Sequence, residues 1–263
     1  MGQQRAVSPM RPSATPPSQI RLITLDLDDT VWPCAPVIQA AEQALLEWLG
    51  NRAPRLLGVH DRDSLREDRR HLMRACPEIA HDVTEVRRLS LARVLIQVGL
   101  PPERAQAMAQ EGLAFFLEHR NRIEPYADSV PALRRLARRY ELVSITNGNS
   151  DPELTPLRGV FRHRVNAAAA GASKPNPAVF ERALALVGCT PRQCLHVGDE
   201  PHLDVEAARS LGIIPIWVNR HGRPWPGELQ PPAMTFTDLR QLADWLEVGP
   251  IAPVHGTGAP DGV

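Results

Sequence analysis

The chain has 263 residues, and its 30 basic and 30 acidic side chains balance to a formal net charge of zero. That balance leaves no electrostatic footprint for nucleic acid or an anionic membrane surface. The apolar runs at 22–27 and 213–218 fall far short of the roughly 20 residues that a membrane span requires, so the expectation is a globular chain with no membrane or nucleic-acid partner.

Residues 1–19 are rich in Pro, Ser and Gln and lack the apolar stretch of a secretory signal, so they read as a disordered lead-in. Residues 21–27 (RLITLDL) form a short apolar, β-branched run that ends in acidic residues, which predicts a buried strand delivering Asp26 to a surface. From 36 to 122 the spacing turns helical, as in Val37, Ala41, Ala44, Leu45 and Trp48, and no convincing strand interrupts it.

After this all-helical insertion the pattern alternates. Helix is expected over 129–139, strand over 142–145, strand over 164–169 and helix over 177–186. Strand over 194–197, helix over 204–211, strand over 213–218 and helix over 239–245 follow, with a disordered tail over 249–263. Such alternation implies an α/β fold with a doubly wound parallel sheet whose ligand lies beyond the carboxyl ends of the strands. Core segments 20–35 and 123–248 would then flank an inserted helical unit over 36–122.

Four polar groups fall where strands end. In DLDDT, Asp26 and Asp28 lie two residues apart, a spacing that can aim both carboxylates into one crevice as nucleophile and acid/base; solvation or helix capping is the ordinary alternative. Thr146 and Asn147, followed by Gly148, offer a hydroxyl and an amide to phosphoryl oxygens, although TNG is also a common turn. Lys174, in a loop stiffened by Pro175 and Pro177, is the chain's single lysine, so any chemistry needing an ammonium must use it. In HVGDEPHLD, Asp199 is placed to ligate Mg²⁺, and Asp204 either orients Lys174 or a metal-bound water or caps the next helix.

The set DxDxT, TN, K and GDxxxxD closely resembles the signature of the haloacid dehalogenase-like hydrolases, over about residues 20–247. The resemblance implies a Rossmann-like core with a small helical cap over 36–122 that shields the substrate. It implies Asp26 as nucleophile and Mg²⁺ ligand, Asp28 as acid/base that also ligates Mg²⁺ through its carbonyl, Thr146, Asn147 and Lys174 as phosphate holders, and Asp199 as a further metal ligand. An Asp at position 28 favours phosphate ester chemistry over dehalogenation, because a halide needs no proton to leave. The lysine-free cap excludes the Schiff-base branch that cleaves phosphonates. DLDDTVWPCAPVIQAAEQAL, PEIAHDVTEVRR, ITNGNSDPEL and CLHVGDE are similar to a bacterial branch of the family acting on 5-amino-6-(5-phospho-D-ribitylamino)uracil and FMN. Another sugar-phosphate or nucleotide phosphatase, a phosphomutase and a catalytically idle binding protein remain open alternatives.

Cap residues His81, Asp82 and Thr84 are candidates for contacting a polar substrate group or, equally, for capping and solvation. Arg120 and Arg122, near the return to the core, are placed either to attract phosphate or, more ordinarily, to complement a helix C-terminus; His196 reads as a core histidine and the tryptophans as structural, with Trp32 a candidate for the entrance between cap and core. The four cysteines (Cys34, Cys76, Cys189, Cys194) include no CxxC pair, which predicts reduced thiols in a cytoplasmic protein. The family resemblance implies a small phosphomonoester as partner, and a monomer or homodimer is the expected state.

Overall fold

The structure, a computed structural model, describes residues 19–232 and 234–247. The disordered tails expected at 1–19 and 249–263 lie outside those residues, apart from Gln19. Among the described residues, six parallel strands form one sheet in the order β3-β2-β1-β4-β5-β6. These are β1 (Leu22–Leu25), β2 (Glu141–Thr146), β3 (His163–Asn166), β4 (Cys194–Gly198), β5 (Ile214–Val218) and β6 (Met234–Phe236). Leu22 pairs with Glu141 on one side and Cys194 on the other, which sets β1 at the centre. Its four residues are all buried, because helices cover both faces: Ile23 and Leu25 pack into one core cluster, Leu22 into the opposite one.

The sequence order reverses between β1 and β4, so the strand ends there open a crevice of the kind that binds ligands in doubly wound sheets. The connection from β1 to β2 carries four long helices, α1 (Cys34–Arg52), α2 (Arg62–Ala75), α3 (Val83–Gln97) and α4 (Pro102–Arg120). They share an apolar core of their own, including Leu45, Leu49, Leu91, Leu95, Met108 and Phe116. The chain returns to the sheet through α5 (Ser129–Leu136), three residues shorter than the sequence suggested.

One charged network sits inside this helical unit. Glu42 of α1 is buried and accepts from Arg66 at 2.7 Å, from Arg69, and from Arg87 at 3.5 Å. Burial works to raise the Glu42 pKa, but the three guanidiniums outweigh it and hold the carboxyl below its ordinary value. Burial and the nearby Arg69 push Arg87 down to about 9. A lowered carboxyl stabilises fully above its unfolded pKa of about 4.3 and loses that contribution as pH falls through the folded value. Glu42→Gln is therefore expected to cost about 3 kcal/mol at neutral pH by leaving buried cations unpaired, and to flatten the acid limb of stability in urea melts taken from pH 7 to pH 4.

The strand expected over 164–169 ends earlier. Asn166 caps a short turn, α6 (Ala167–Ala170), with its side chain accepting from Ala169 N at 2.8 Å, so four alanines take up helix where an apolar run suggested strand. Helix α7 (Ala178–Val187) falls where expected. The helix expected over 204–211 begins three residues sooner, as a wide turn at Pro201–Glu206 that runs into α8 (Ala207–Ser210). Strand β6 went unforeseen, since three residues beside a Pro-rich stretch carry too little period to read. The final helix, α9 (Leu239–Glu247), follows it. No described helix is long and apolar enough to cross a membrane.

Candidate active site

Asp26 leaves the end of β1 with its backbone N–H still donating to Val197 O at 2.9 Å, so its carboxylate is set by the two central strands. The chain then doubles back. Val31 N donates to Leu27 O at 2.8 Å and Asp29 N to Trp32 O at 2.7 Å. This tightness puts Asp29 at φ +61°, a left-handed conformation that Asp tolerates better than most residues. Asp29 Oδ1 offsets the strain by accepting from Cys34 N at 2.9 Å, the first residue of α1.

Lys174 reaches between two of the carboxylates. Its Nζ lies 2.6 Å from Asp26 Oδ1 and 2.6 Å from Asp204 Oδ1, and its side chain is almost wholly buried. Burial alone would lower the lysine pKa, but the two carboxylates outweigh it and raise it. Asp204 is buried as well, yet Lys174 and His196 hold it well below the carboxylate range. His196 Nε2 lies 3.1 Å from Asp204 Oδ1 and Nδ1 lies 2.9 Å from Thr24 Oγ1. Burial keeps the imidazole neutral, so Nε2 donates to the carboxylate and Nδ1 accepts from the hydroxyl. His196 is thus a satisfied core histidine, as expected, whose bonds support Asp204.

Asp204 has no oxygen left over, since Oδ2 accepts from Glu200 N at 3.0 Å. It packs so close to Gly198 that a Cβ there would lie 2.2 Å from its carboxyl carbon. Only glycine lets the end of β4 pass this carboxylate. Asp26 differs: burial, with Asp204 and Asp199 nearby, raises its pKa despite Lys174, and among the described residues only its Oδ1 is hydrogen-bonded.

Asn147 fixes the lysine loop from the end of β2. Its Oδ1 accepts from Lys174 N at 2.7 Å and its Nδ2 donates to Lys174 O at 3.0 Å, so both ends of the amide are engaged in placing the lysine. Thr146 Oγ1 accepts from Gly148 N at 2.9 Å, and a Cβ on Gly148 would lie 2.9 Å from Asp28 Oδ2. On the far side, Asp199 Oδ1 accepts from Thr30 at 3.3 Å and Oδ2 from Arg223 Nη2 at 2.9 Å. Burial, reinforced by Asp204 and Glu200, pushes the Asp199 carboxyl up to about 7.

Sequence reasoning missed what holds Asp28. Arg120 Nη2 contacts both carboxylate oxygens, at 2.6 and 2.7 Å, and Trp32 Nε1 donates to Oδ1 at 2.8 Å. Arg120 and Trp32 are fully buried, so neither the helix-end reading of the one nor the entrance reading of the other describes its place. An indole four residues after a carboxylate was the available signal for Trp32. Among the cap candidates, Asp82 caps α3 by accepting from Thr84 N and Glu85 N, and Thr84 Oγ1 accepts from Asn149 at 3.3 Å, a bond between helical unit and core. His81 is half-buried, and Arg122 pairs with Glu118 on the surface.

Asp26, Asp28, Thr146, Asn147, Lys174, Asp199 and Asp204 thus line one cavity of about 170 Å³, together with Asp29, Gly148, Glu200 and Leu203. One oxygen each from Asp26, Asp199 and Asp204 lies within 4.8 Å of the others, an acidic cluster that can hold a metal ion. Hard oxygen donors around a net negative centre suit Mg²⁺, the ion that family members typically use, and of the three carboxylates Asp26 has an oxygen with no hydrogen bond among the described residues.

A strained, carboxylate-bearing loop at the switch point of a parallel sheet, with a buried lysine across from it, defines a hydrolase built for anionic substrates. The chain belongs to the haloacid dehalogenase-like hydrolases, whose family model matches residues 20–212. It is 35% identical over 237 residues to the 5-amino-6-(5-phospho-D-ribitylamino)uracil phosphatase YigB of Escherichia coli, covering 90% of this chain and 95% of that one. It is 31% identical to the phosphoserine phosphatase of Thermus thermophilus, covering 85% and 98%. A solved structure of a 2-haloacid dehalogenase from Pseudomonas syringae superposes with a TM-score of 0.82 at 35% identity, covering 87% of this chain and 99% of that one. Within the family this chain is a phosphoric monoester hydrolase.

Proposed function

We propose that the protein is a cytoplasmic, Mg²⁺-dependent phosphatase that forms an aspartyl-phosphate on Asp26, with residues 36–122 acting as a cap over the core. The observation that carries this reading is the uncommitted oxygen of Asp26. Asp204 has both oxygens engaged, Asp28 is held through both by Arg120, and Asp199 is bonded through both to Thr30 and Arg223. Asp26 alone pairs one oxygen with Lys174 and leaves the other for attack. In the first half-reaction that oxygen bonds to phosphorus, the ester bond breaks, and the departing alkoxide takes a proton from Asp28. In the second, Asp28 takes a proton from water, the water oxygen bonds to phosphorus, and Asp26 leaves as the carboxylate.

Asp26, Asp199 and the Asp28 carbonyl are the groups that would hold Mg²⁺, which supplies charge neutralisation for the phosphoryl oxygens when bound. Lys174 offsets the remaining negative charge, the Thr146 hydroxyl turns toward a phosphoryl oxygen, and Asn147 keeps the lysine loop in register. Similarity to the E. coli enzyme supports a ribityl phosphate substrate, 5-amino-6-(5-phospho-D-ribitylamino)uracil or FMN. The dehalogenase named among the structural neighbours is disfavoured here, since a dehalogenase has no use for a proton donor at Asp28.

Purified protein with Mg²⁺ is expected to release phosphate from p-nitrophenyl phosphate, and EDTA is expected to remove at least about 99% of that activity until Mg²⁺ is returned. In a panel of phosphomonoesters the ribitylaminouracil phosphate and FMN should show a higher kcat/KM than sugar phosphates and nucleotides. Activity unaffected by EDTA, or phosphate passed to a second sugar in preference to water, would count against the proposal.

A further inference from the structure

We propose that Arg120, supplied by the last helix of the inserted unit, is the positioning residue that aims Asp28 at the leaving group. The inference rests on the acid role given to Asp28 above. Arg120 sits 92 residues from Asp28 in sequence, at the last position of α4, and it is 1% exposed. All of its hydrogen bonds among the described residues run from Nη2 to the two Asp28 oxygens, while Nε and Nη1 are buried without a partner. Arg87, itself buried with unpartnered Nε and Nη1, lies close enough to repel it.

A guanidinium placed for stability would satisfy more of its donors and would not face a second buried cation. Complementing the helix C-terminus explains no better why the group turns inward. What the arrangement achieves is an orientation of Asp28. Oδ1 accepts from both Trp32 Nε1 and Arg120 Nη2, so it is the oxygen held in place. Oδ2 accepts only from Arg120 and lies against Gly148, which lines the cavity, so it is the oxygen turned toward a bound leaving group. When Asp28, in the acid role given above, hands a proton to the leaving oxygen, its carboxylate forms opposite the Arg120 cation, which stabilises it.

The location of Arg120 is itself fixed at the return to the core. The next residue, Asn121, donates from Nδ2 to Leu117 O at 2.8 Å and accepts from Asp151 N at 2.7 Å through Oδ1. The helical unit thereby contributes a side chain to the chemistry of the core.

The test is a leaving-group series, p-nitrophenyl, phenyl and benzyl phosphate, which share a ring while the need for a proton rises from first to last. The readout is kcat/KM, which covers only the steps up to alcohol release, measured on wild type, Arg120→Met and Arg120→Lys with Mg²⁺. For Arg120→Met the expected loss is about 100-fold on benzyl phosphate and only a few-fold on p-nitrophenyl phosphate, the size that general acid catalysis supplies. Thermal unfolding of this variant is expected at or above the wild-type temperature. Arg120→Lys should recover most of the benzyl phosphate loss, because a single nitrogen makes both contacts in the wild type. Equal losses on all three esters, or a lowered Tm with no dependence on leaving group, would overturn the proposal. A wild-type enzyme that cleaves none of the three would instead bring down the phosphatase reading, and this inference with it; a wild-type enzyme whose Asp26→Asn variant is dead while Arg120→Met shows no split removes the inference alone.

Discussion

Lys174→Met is expected to cost the protein both activity and stability: a fall in phosphate release of about 10³-fold or more and a loss of about 3–5 kcal/mol in urea unfolding. The lysine is buried with Nζ 2.6 Å from each of two buried carboxylates. Removing it leaves Asp26 and Asp204 facing one another without a counter-charge, in a place that water reaches poorly. Asp204 is held ionised chiefly by this lysine, so without it the carboxyl must take up a proton, and its bond from His196 loses its charge assistance. Arginine is not a substitute. Nζ is a point charge that fits between two oxygens, whereas a planar guanidinium needs room the Asn147 clamp does not leave, so Lys174→Arg should fall nearly as far. Phosphate release and urea midpoint measured on the same preparations check both halves of this expectation.

Position at the strand ends is what made most of the site legible. Asp26, Thr146 and Asp199 follow short apolar runs that have little choice but to be buried strands, and a parallel sheet brings the ends of neighbouring strands together. Lys174 was legible for another reason, as the one lysine in a chain that otherwise uses arginine. Asp204 could be read only as a choice between capping and orienting, because its meaning depends on Lys174, 30 residues away, and on His196 across the strand end. Arg120 was opaque. A basic residue in the last turn of a helix has a local explanation that is usually sufficient, and its actual partner is set by how the helical unit folds back on the β1 loop. The same holds for Arg223, whose bonds to Asp199 and Glu200 come from a loop with no periodic pattern. The short helix found where a longer β3 was expected shows a different limit, in which a capping Asn166 decided between two states that an alanine run left open.

Asp26→Asn separates catalysis from folding in a way that Lys174→Met does not. Loss of the proposed nucleophile is expected to lower kcat on p-nitrophenyl phosphate by about 10⁴-fold or more, since Asp204, the other carboxylate that Lys174 contacts, has both oxygens engaged. Yet the fold should hold. The amide oxygen of Asn can still accept from Lys174, the Lys174–Asp204 pair persists at 2.6 Å, and one of three crowded carboxylates is gone. Burial already opposes the charge on Asp26, so neutralising it removes a cost, and the Tm without added metal should equal or exceed that of wild type. With Mg²⁺ the order should reverse, because the wild type gains binding energy from a charged ligand that the amide cannot match. Melting curves of both proteins with and without Mg²⁺, set beside their phosphate release, would show that crossing; a variant that stayed active, or one that Mg²⁺ stabilised as much as wild type, would remove Asp26 from the centre of the site.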